Sequence, residues 1–243
     1  MSNPSENNPL EQRVSSNTKI VVKPLISGFN ENTPVCAINW FDLKVSWLYK
    51  LYTLIASKIV AKVEGKLYFK GTLHSKIEGS EIEQRDNLMI VCYAGPHQFL
   101  KMVKIKLFQI VSILRIAAVK RFCFGFTQNL INKAEINNNF RKGQLYLVHH
   151  FQGEKNWITE NLPALQSVAF EHNTEVFFCG IASANLVREK SGKPQAAEFF
   201  MDGIIVFSAD VEESFGELIN NQIYKIFKKK NKTNSLYLFS RQY

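Results

Sequence analysis

The apolar positions of this chain fall into two periodicities, and the switches between them mark the elements. "VCAINWF" (Val35–Phe41) is an apolar run rich in strand-forming residues. From Val45 to Val63 the polar positions Ser46, Lys50, Thr53 and Ser57 recur at helical spacing on one face. "KLYFKGTL" (Lys66–Leu73) predicts the next strand, the polar stretch "HSKIEGSEIEQRD" a loop, and "LMIVCYA" (Leu88–Ala94) a third strand. Pro96 suits the first turn of a helical region reaching about Val119. "RFCFGFT" (Arg121–Thr127) closes the set in the order β-α-β-β-α-β.

The same order returns further on. "LYLVHHF" begins at Leu145, and Asn156–Phe170 has helical periodicity, interrupted by Pro163. Strands follow at Glu175–Ala182 and Gly203–Ala209, separated by a polar insert from Arg188 to Glu198. Glu212–Lys228 predicts a helix and Ser235–Arg241 a last strand. Phe41 aligns with Phe151, Trp47 with Trp157, Ser57 with Ser167, Gly71 with Gly180, and Ile90–Val91 with Ile205–Val206. A period near 110 residues is too long for a solenoid and indicates a duplicated domain. Each unit is a split β-α-β of ferredoxin-like type. Its helices cover one sheet face, and the bare face requires a second sheet. The expected class is α+β. Two tandem ferredoxin-like units pack their antiparallel sheets into an intrachain, pseudo-dimeric α+β barrel. The expected organisation is a flexible polar N-terminal tail (1–33), a first unit (34–130), a linker (131–143) and a second unit (144–243).

At this point the segments "FKGTL", "IVCYAGPHQFLKM" and "LFQIVSILRIAAV" resemble the dimeric α+β barrel superfamily, which includes antibiotic-biosynthesis-type monooxygenases and stress-associated domains without assigned function. Lys70 stands where one unassigned branch has arginine in an Arg-Gly-Gly-like strand. Arg115 stands at the arginine of that branch's Tyr-Gln…Arg helix, with Phe108 replacing the tyrosine. The resemblance covers nearly the whole chain after residue 33. It implies a barrel that usually forms between two chains and here forms within one. It also implies cofactor-independent oxidation, isomerisation or cleavage of an aromatic or polyketide-like ligand. Haem is a minor option that it leaves open; no cofactor is expected.

Alternation along a strand sends His149 and His150 to opposite faces, so they cannot chelate one metal together. The face carrying Cys36, Ile38 and Trp40, matched by Tyr146, Val148 and His150, is the more aromatic and is expected to line the barrel. On the same reasoning Tyr68 and Lys70 face inward, Phe69 and Gly71 lie under the helices, and the second copy presents Phe177, Cys179 and Ile181 inward. His150, Lys70 and Tyr93 are the candidates for proton handling. Trp40, Tyr68, His97, Arg115 and Tyr146 are candidates for ligand contact. Each has a plainer reading as well: a hydrogen-bonded core histidine, a lysine reaching the rim, a helix-capping turn at Gly95–Pro96, and an Arg115 paired with a carboxylate.

Composition narrows the partners. The 243 residues carry 46% hydrophobic residues, enough for a packed core, and a net charge of +9. Pro34–Leu130 holds 14 Lys/Arg against 6 Asp/Glu, whereas Arg141–Tyr243 holds 12 against 11. One half is basic and the other nearly neutral. Four cysteines without C-x-x-C or zinc spacing read as free buried thiols in a reducing compartment, so a cytoplasmic location and no metal are expected. No run is long enough to span a membrane, and no phosphate loop or G-x-S-x-G is present. The lysines of "KIFKKKNK" complement a helix C-terminus, so no nucleic acid is expected. A monomer that binds a small molecule is the leading expectation. The alternatives are a non-catalytic scaffold or interaction module whose basic half docks an acidic partner, and salt-sensitive binding of that half to a membrane surface or nucleic acid. Whether the chain is an enzyme is not decided by its sequence.

Overall fold

The computed structural model describes residues 29–30, 33–79, 84–131, 144–182 and 202–241, and the backbone of 187–190 and 193–194. The first half contains β1 (Val35–Leu43), α1 (Ser46–Lys62), β2 (Lys66–Glu78), β3 (Asn87–Tyr93), α2 (Pro96–Lys104), α3 (Lys106–Ala118) and β4 (Val119–Asn129). The second contains β5 (Leu145–Gly153), α4 (Lys155–Glu171), β6 (Thr174–Ala182), the short β7 (Val187–Lys190) and β8 (Lys193–Pro194), β9 (Gly203–Ala209), α5 (Glu213–Asn220), α6 (Gln222–Lys230) and β10 (Asn231–Arg241). Most of the tail, the linker and the polar insert expected from the sequence lies outside the described residues.

Each half orders its strands as a ferredoxin-like sheet: β4-β1-β3-β2 in the first and β10-β5-β9-β6 in the second. β2 pairs with β10 and β4 pairs with β6, which closes eight antiparallel strands into one barrel. Corresponding strands stand four places apart in the ring, so the axis relating the halves runs along the barrel. Residues related by it face each other at the same level. The expected α+β intrachain barrel is therefore the fold observed.

Three apolar clusters follow from this layout. One lies between the first sheet and α1–α3 and includes Phe41, Tyr49, Tyr52, Tyr93, Phe99 and Phe126. A second lies under α4–α6 and includes Phe151, Leu165, Phe207, Phe215 and Phe227. The third fills the barrel with Trp40, Tyr68, Phe69, Tyr146, Phe177, Phe178, Tyr237, Phe239 and aliphatic neighbours. Phe29, just ahead of β1, lays its ring edge-on to Phe126.

The second helical region of each half is not one helix, as the periodicity suggested. It is two helices joined by a single extended residue: Ile105 (ψ 119°) between α2 and α3, and Asn221 (ψ 145°) between α5 and α6. The Asn221 side chain accepts from the amide of Ile223 and caps α6. By contrast, α4 runs straight through Pro163.

The strand faces required a larger correction. In β2, Leu67 pairs with Val91 and Phe69 with Ile90, so Tyr68 is an extra, bulged residue. In β6, Val176 pairs with Phe207 and Phe178 with Val206, which makes Phe177 the matching bulge. Both residues of each pair, Tyr68–Phe69 and Phe177–Phe178, belong to the barrel cluster. Beyond the bulge the alternation is inverted. Gly71 and Gly180 stand inside, and Cys179 and Ile181 pack under the helices. A Cβ on Gly71 would lie 2.7 Å from the Phe69 ring, and one on Gly180 would lie 2.7 Å from the Phe178 ring. Each glycine thus makes room for the phenyl ring two residues before it. The third strands also align one residue away from the sequence reading. Cys36 pairs with Cys92 and Tyr146 with Ser208, which matches Ile90 to Val206 and Leu88 to Ile204.

Candidate functional site

The two adjacent histidines do face opposite ways, and their environments differ. His149 lies under the second helix layer. Its Nε2 stands 2.9 Å from Asn234 Oδ1, and its Nδ1 stands 2.7 Å from the Tyr224 hydroxyl. Asn234 Nδ2 donates to the carbonyl of Lys228, which leaves Oδ1 as the acceptor. His149 is therefore the neutral Nε2–H tautomer, accepting from Tyr224 at Nδ1. Burial drives its pKa down to about 3, with Asn234 opposing the shift and the Lys228 charge adding to it. Every polar atom of this imidazole is satisfied, as a structural residue requires.

His150 points into the barrel. Its ring centroid lies 4.0 Å from that of Trp40, its symmetry counterpart on the opposite wall, and 5.3 Å from that of Tyr237. Its Nε2 is buried without a hydrogen-bond partner among the described residues, and so is Nε1 of Trp40. Burial lowers the His150 pKa to about 3, helped by His149 and by the charge of Arg85. At neutral pH a neutral imidazole and an indole N–H thus meet at one end of the barrel.

That end is braced by polar contacts from three strands. Arg85, two residues before β3, is only 1% exposed. Its guanidinium donates to the carbonyl of Gln84 at 2.6 Å and lies 3.8 Å from Cys123 Sγ on β4. Asp42, at the end of β1, accepts from the amide of Asp86 and forms an ion pair with Arg121 of β4. Arg121 also reaches the carbonyl of Gln84. These contacts hold Arg85 beside the Trp40–His150 pair.

The other candidates do not converge there. Lys70 was expected inside the barrel. The bulge at Tyr68 turns it to the helix side, where burial and then Lys50 lower its pKa. Tyr93 lies in the cluster under α1–α3, with its ring 5.5 Å from Phe99 and its hydroxyl 3.6 Å from Met102 Sδ. Burial pushes its pKa up. A sheet separates both residues from His150. His97 occupies the first turn of α2 in the outer helix layer, partly exposed. Arg115 was expected to pair with a carboxylate. Instead its guanidinium stacks 4.4 Å over the Phe122 ring, close enough to Tyr49 and Tyr52 to act on both electrostatically.

Tyr68 and Tyr146 do line the barrel, towards the end away from His150. The Tyr68 hydroxyl donates to the carbonyl of Phe177, its counterpart, at 2.8 Å. Burial and Glu175 raise its pKa to about 12, against an opposing hydrogen bond from Asn129. The Tyr146 hydroxyl donates to Gln144 Oε1 at 3.0 Å and accepts from Arg241 at 3.2 Å. Tyr68, Phe69, Tyr146 and Phe177 have ring centroids 5.0–6.0 Å apart, so aromatic rings meet across this part of the interior.

The sequence reading missed Arg85, which sits in a stretch read as a polar surface loop. No periodic signal distinguishes it from its charged neighbours. The reading of the cysteines also needs correction. Cys36 and Cys92, directly opposite on β1 and β3, form a disulfide, and Cys123 and Cys179 stay outside it as thiols. The four cysteines therefore do not indicate a reducing compartment. Among the described residues no cluster of three His, Cys, Asp or Glu side chains could hold a metal. No described helix is long and apolar enough to cross a membrane.

No family model matches the chain, and no curated protein matches its sequence. Solved structures do match. A "putative monooxygenase" from Fusobacterium nucleatum subsp. nucleatum is similar with a TM-score of 0.56 and 11% identity, over 87% of this chain and 94% of that one. A "putative monooxygenase" from Lactobacillus acidophilus is similar with a TM-score of 0.52 and 10% identity, over 86% and 94%. Both likenesses extend over both halves of the barrel. At these identities they speak to architecture alone. Together with the closed eight-stranded ring, they show that this chain has the dimeric α+β barrel fold, completed within a single polypeptide.

Proposed function

We propose that the chain binds a small, flat, oxygen-bearing ligand at the Trp40–His150 end of the barrel. We propose further that its chemistry is proton transfer from an enol- or phenol-like group, as in cofactor-independent oxygenation or isomerisation. The observation that carries this reading is the pair of buried ring nitrogens without partners among the described residues, on rings 4.0 Å apart. A buried polar atom left unpaired costs about 1–3 kcal/mol, so two on neighbouring rings call for partners. Trp40 Nε1–H suits a carbonyl or hydroxyl oxygen. His150, neutral at physiological pH, offers its Nε2 as a hydrogen-bond acceptor to the ligand's hydroxyl proton, and completes the transfer only where the ligand anion beside the ring raises its pKa well above 3. The buried Arg85 supplies positive charge near the anion so formed. The names of the two similar solved chains fit such chemistry without specifying it.

A second reading is a packed, non-catalytic module. The aromatic contacts across the Tyr68–Phe177 part of the barrel favour it. Native mass spectrometry of freshly purified protein, with an absorbance spectrum of the same sample, separates the two. A bound species near 1:1, lost in the Trp40→Phe/His150→Phe double variant, supports the binding site. A clean apo protein whose mass and spectrum the variant leaves unchanged supports the packed module and ends the ligand reading.

A further inference from the structure

The geometry points to a membrane-docking face on the first helix layer, built to lie on an anionic phospholipid surface. The outward stripe of α1 carries Trp47, 68% exposed, with Leu51 and Leu54. That of α3 carries Leu107, Ile110, Ile113 and Ile116, between 40% and 57% exposed. The two helices pack side by side. The amides of Lys44 and Val45, at the start of α1, donate to the carbonyl of Ala118 at the end of α3, so the helices run antiparallel. The two stripes therefore lie next to each other on the side away from the barrel. Large exposed aliphatic and indole side chains in such a continuous patch mark an interaction surface.

Charge identifies the partner. α1, α2 and α3 together contain seven Lys or Arg and no Asp or Glu: three in α1, two in α2 and two in α3. Six of the seven, Lys50, Lys58, Lys62, Lys101, Lys104 and Lys106, are exposed. The symmetry-related layer serves as an internal comparison. Helices α4–α6 hold five basic residues against four acidic ones, namely Glu160, Glu171, Glu213 and Glu217. Burial of the sheet requires only an apolar inner face from each layer, so it explains neither the outer apolar stripe nor the missing acids of the first. A second copy of the chain would set two wholly basic faces against each other, which repels. Nucleic acid would meet the lysines through its phosphates but has nothing to cover the aliphatic stripe. An anionic bilayer accepts both features. Leucine, isoleucine and tryptophan enter the interfacial region while lysines reach the headgroups.

The test is sedimentation of the full chain with phosphatidylglycerol/phosphatidylcholine vesicles, with pure phosphatidylcholine for comparison. Binding to the anionic vesicles is expected, falling steeply with added salt. Each exposed lysine changed to glutamine should weaken it about fivefold. Leu54→Glu/Ile110→Glu should abolish it, while Phe170→Glu on the second helix layer should leave it intact. Trp47 emission should shift to the blue on vesicle addition, and Trp47→Phe should remove that shift. This keeps the test decisive even if the double variant folds poorly. The proposal is overturned if the protein stays in the supernatant at low salt, or if it binds neutral vesicles equally well. It is also overturned if the face proves to be a dimer contact, shown by a dimer that Leu54→Glu/Ile110→Glu converts to monomer. Salt-sensitive DNA binding that survives the same double variant, without vesicle binding, would reassign the face to nucleic acid.

Discussion

His149 and His150 make the stability of this fold depend on pH in a calculable way. Each has an ordinary pKa of 6.5 and a folded pKa near 3, lowered above all by burial. Protonation therefore favours the unfolded chain. The stabilisation held in the neutral imidazoles is fully present above pH 6.5. It is lost as the pH falls from 6.5 towards 3, because the unfolded state binds more protons throughout that interval. At pH 5 the unfolded imidazole is almost fully protonated and the folded one almost wholly neutral. The loss between pH 7 and pH 5 is then about 2 kcal/mol for each histidine, or about 4 kcal/mol for the pair. Urea unfolding at the two pH values measures it. Carboxylates add their own dependence, so the comparison is between the wild type and His150→Phe. The phenyl ring approximates the imidazole in shape and is aromatic like the Trp40 that occupies the symmetric position. The variant should lose about 2 kcal/mol less than the wild type over this interval. Nitrogen-detected spectra of the folded protein at pH 5 should show both rings neutral, with His149 protonated at Nε2. Equal pH dependence of the two proteins, or a charged imidazole in the folded state at pH 5, would refute the reasoning.

Two further outcomes test the barrel itself. Gly180→Ala places a methyl group 2.6 Å from Thr127 Oγ1 and 2.7 Å from the Phe178 ring, and should lower stability by about 1–3 kcal/mol in thermal or urea unfolding; Gly71→Ala, beside Phe69, should behave alike, and a neutral effect at both sites would contradict the paired bulges. Thiol alkylation of the unfolded, unreduced chain should label the two cysteines outside the disulfide, Cys123 and Cys179, and after reduction all four; four labelled thiols without reductant would exclude the Cys36–Cys92 bond.

Inward and outward faces were legible from sequence wherever strands are regular. Cys36, Ile38 and Trp40 on β1, and Tyr146, Val148 and His150 on β5, alternate without interruption and face the barrel as their aromatic character suggested. The same rule failed on β2 and β6, where one extra residue inverts every face beyond it. That error put Lys70 inside the barrel and took Phe69, Gly71 and Phe178 out of it. Nothing local marks Tyr68 or Phe177 as bulged, because the bulge exists only relative to a neighbouring strand. The polar segment after Leu73 failed for a related reason. It reads as a loop, yet His74–Glu78 continue β2 because β10 of the other half supplies a pairing partner, and Lys228 pairs with Glu78.

The sequence by itself determined the element order, its repetition at about 110 residues and the need of each half for a second sheet. Those properties rest on hydrophobic periodicity, which is local, and on burial, which every apolar face requires. Tertiary structure alone decided the register of the strands, the Cys36–Cys92 bond, the satisfied network around His149 and the company of His150. Each of these is a contact between residues remote in the chain, set by how the two sheets close around a common axis. Two neighbouring histidines that look alike in sequence are thereby separated. One is fully hydrogen-bonded under a helix. The other stands with Trp40 and Arg85 at the end of the barrel, its Nε2 without a partner among the described residues.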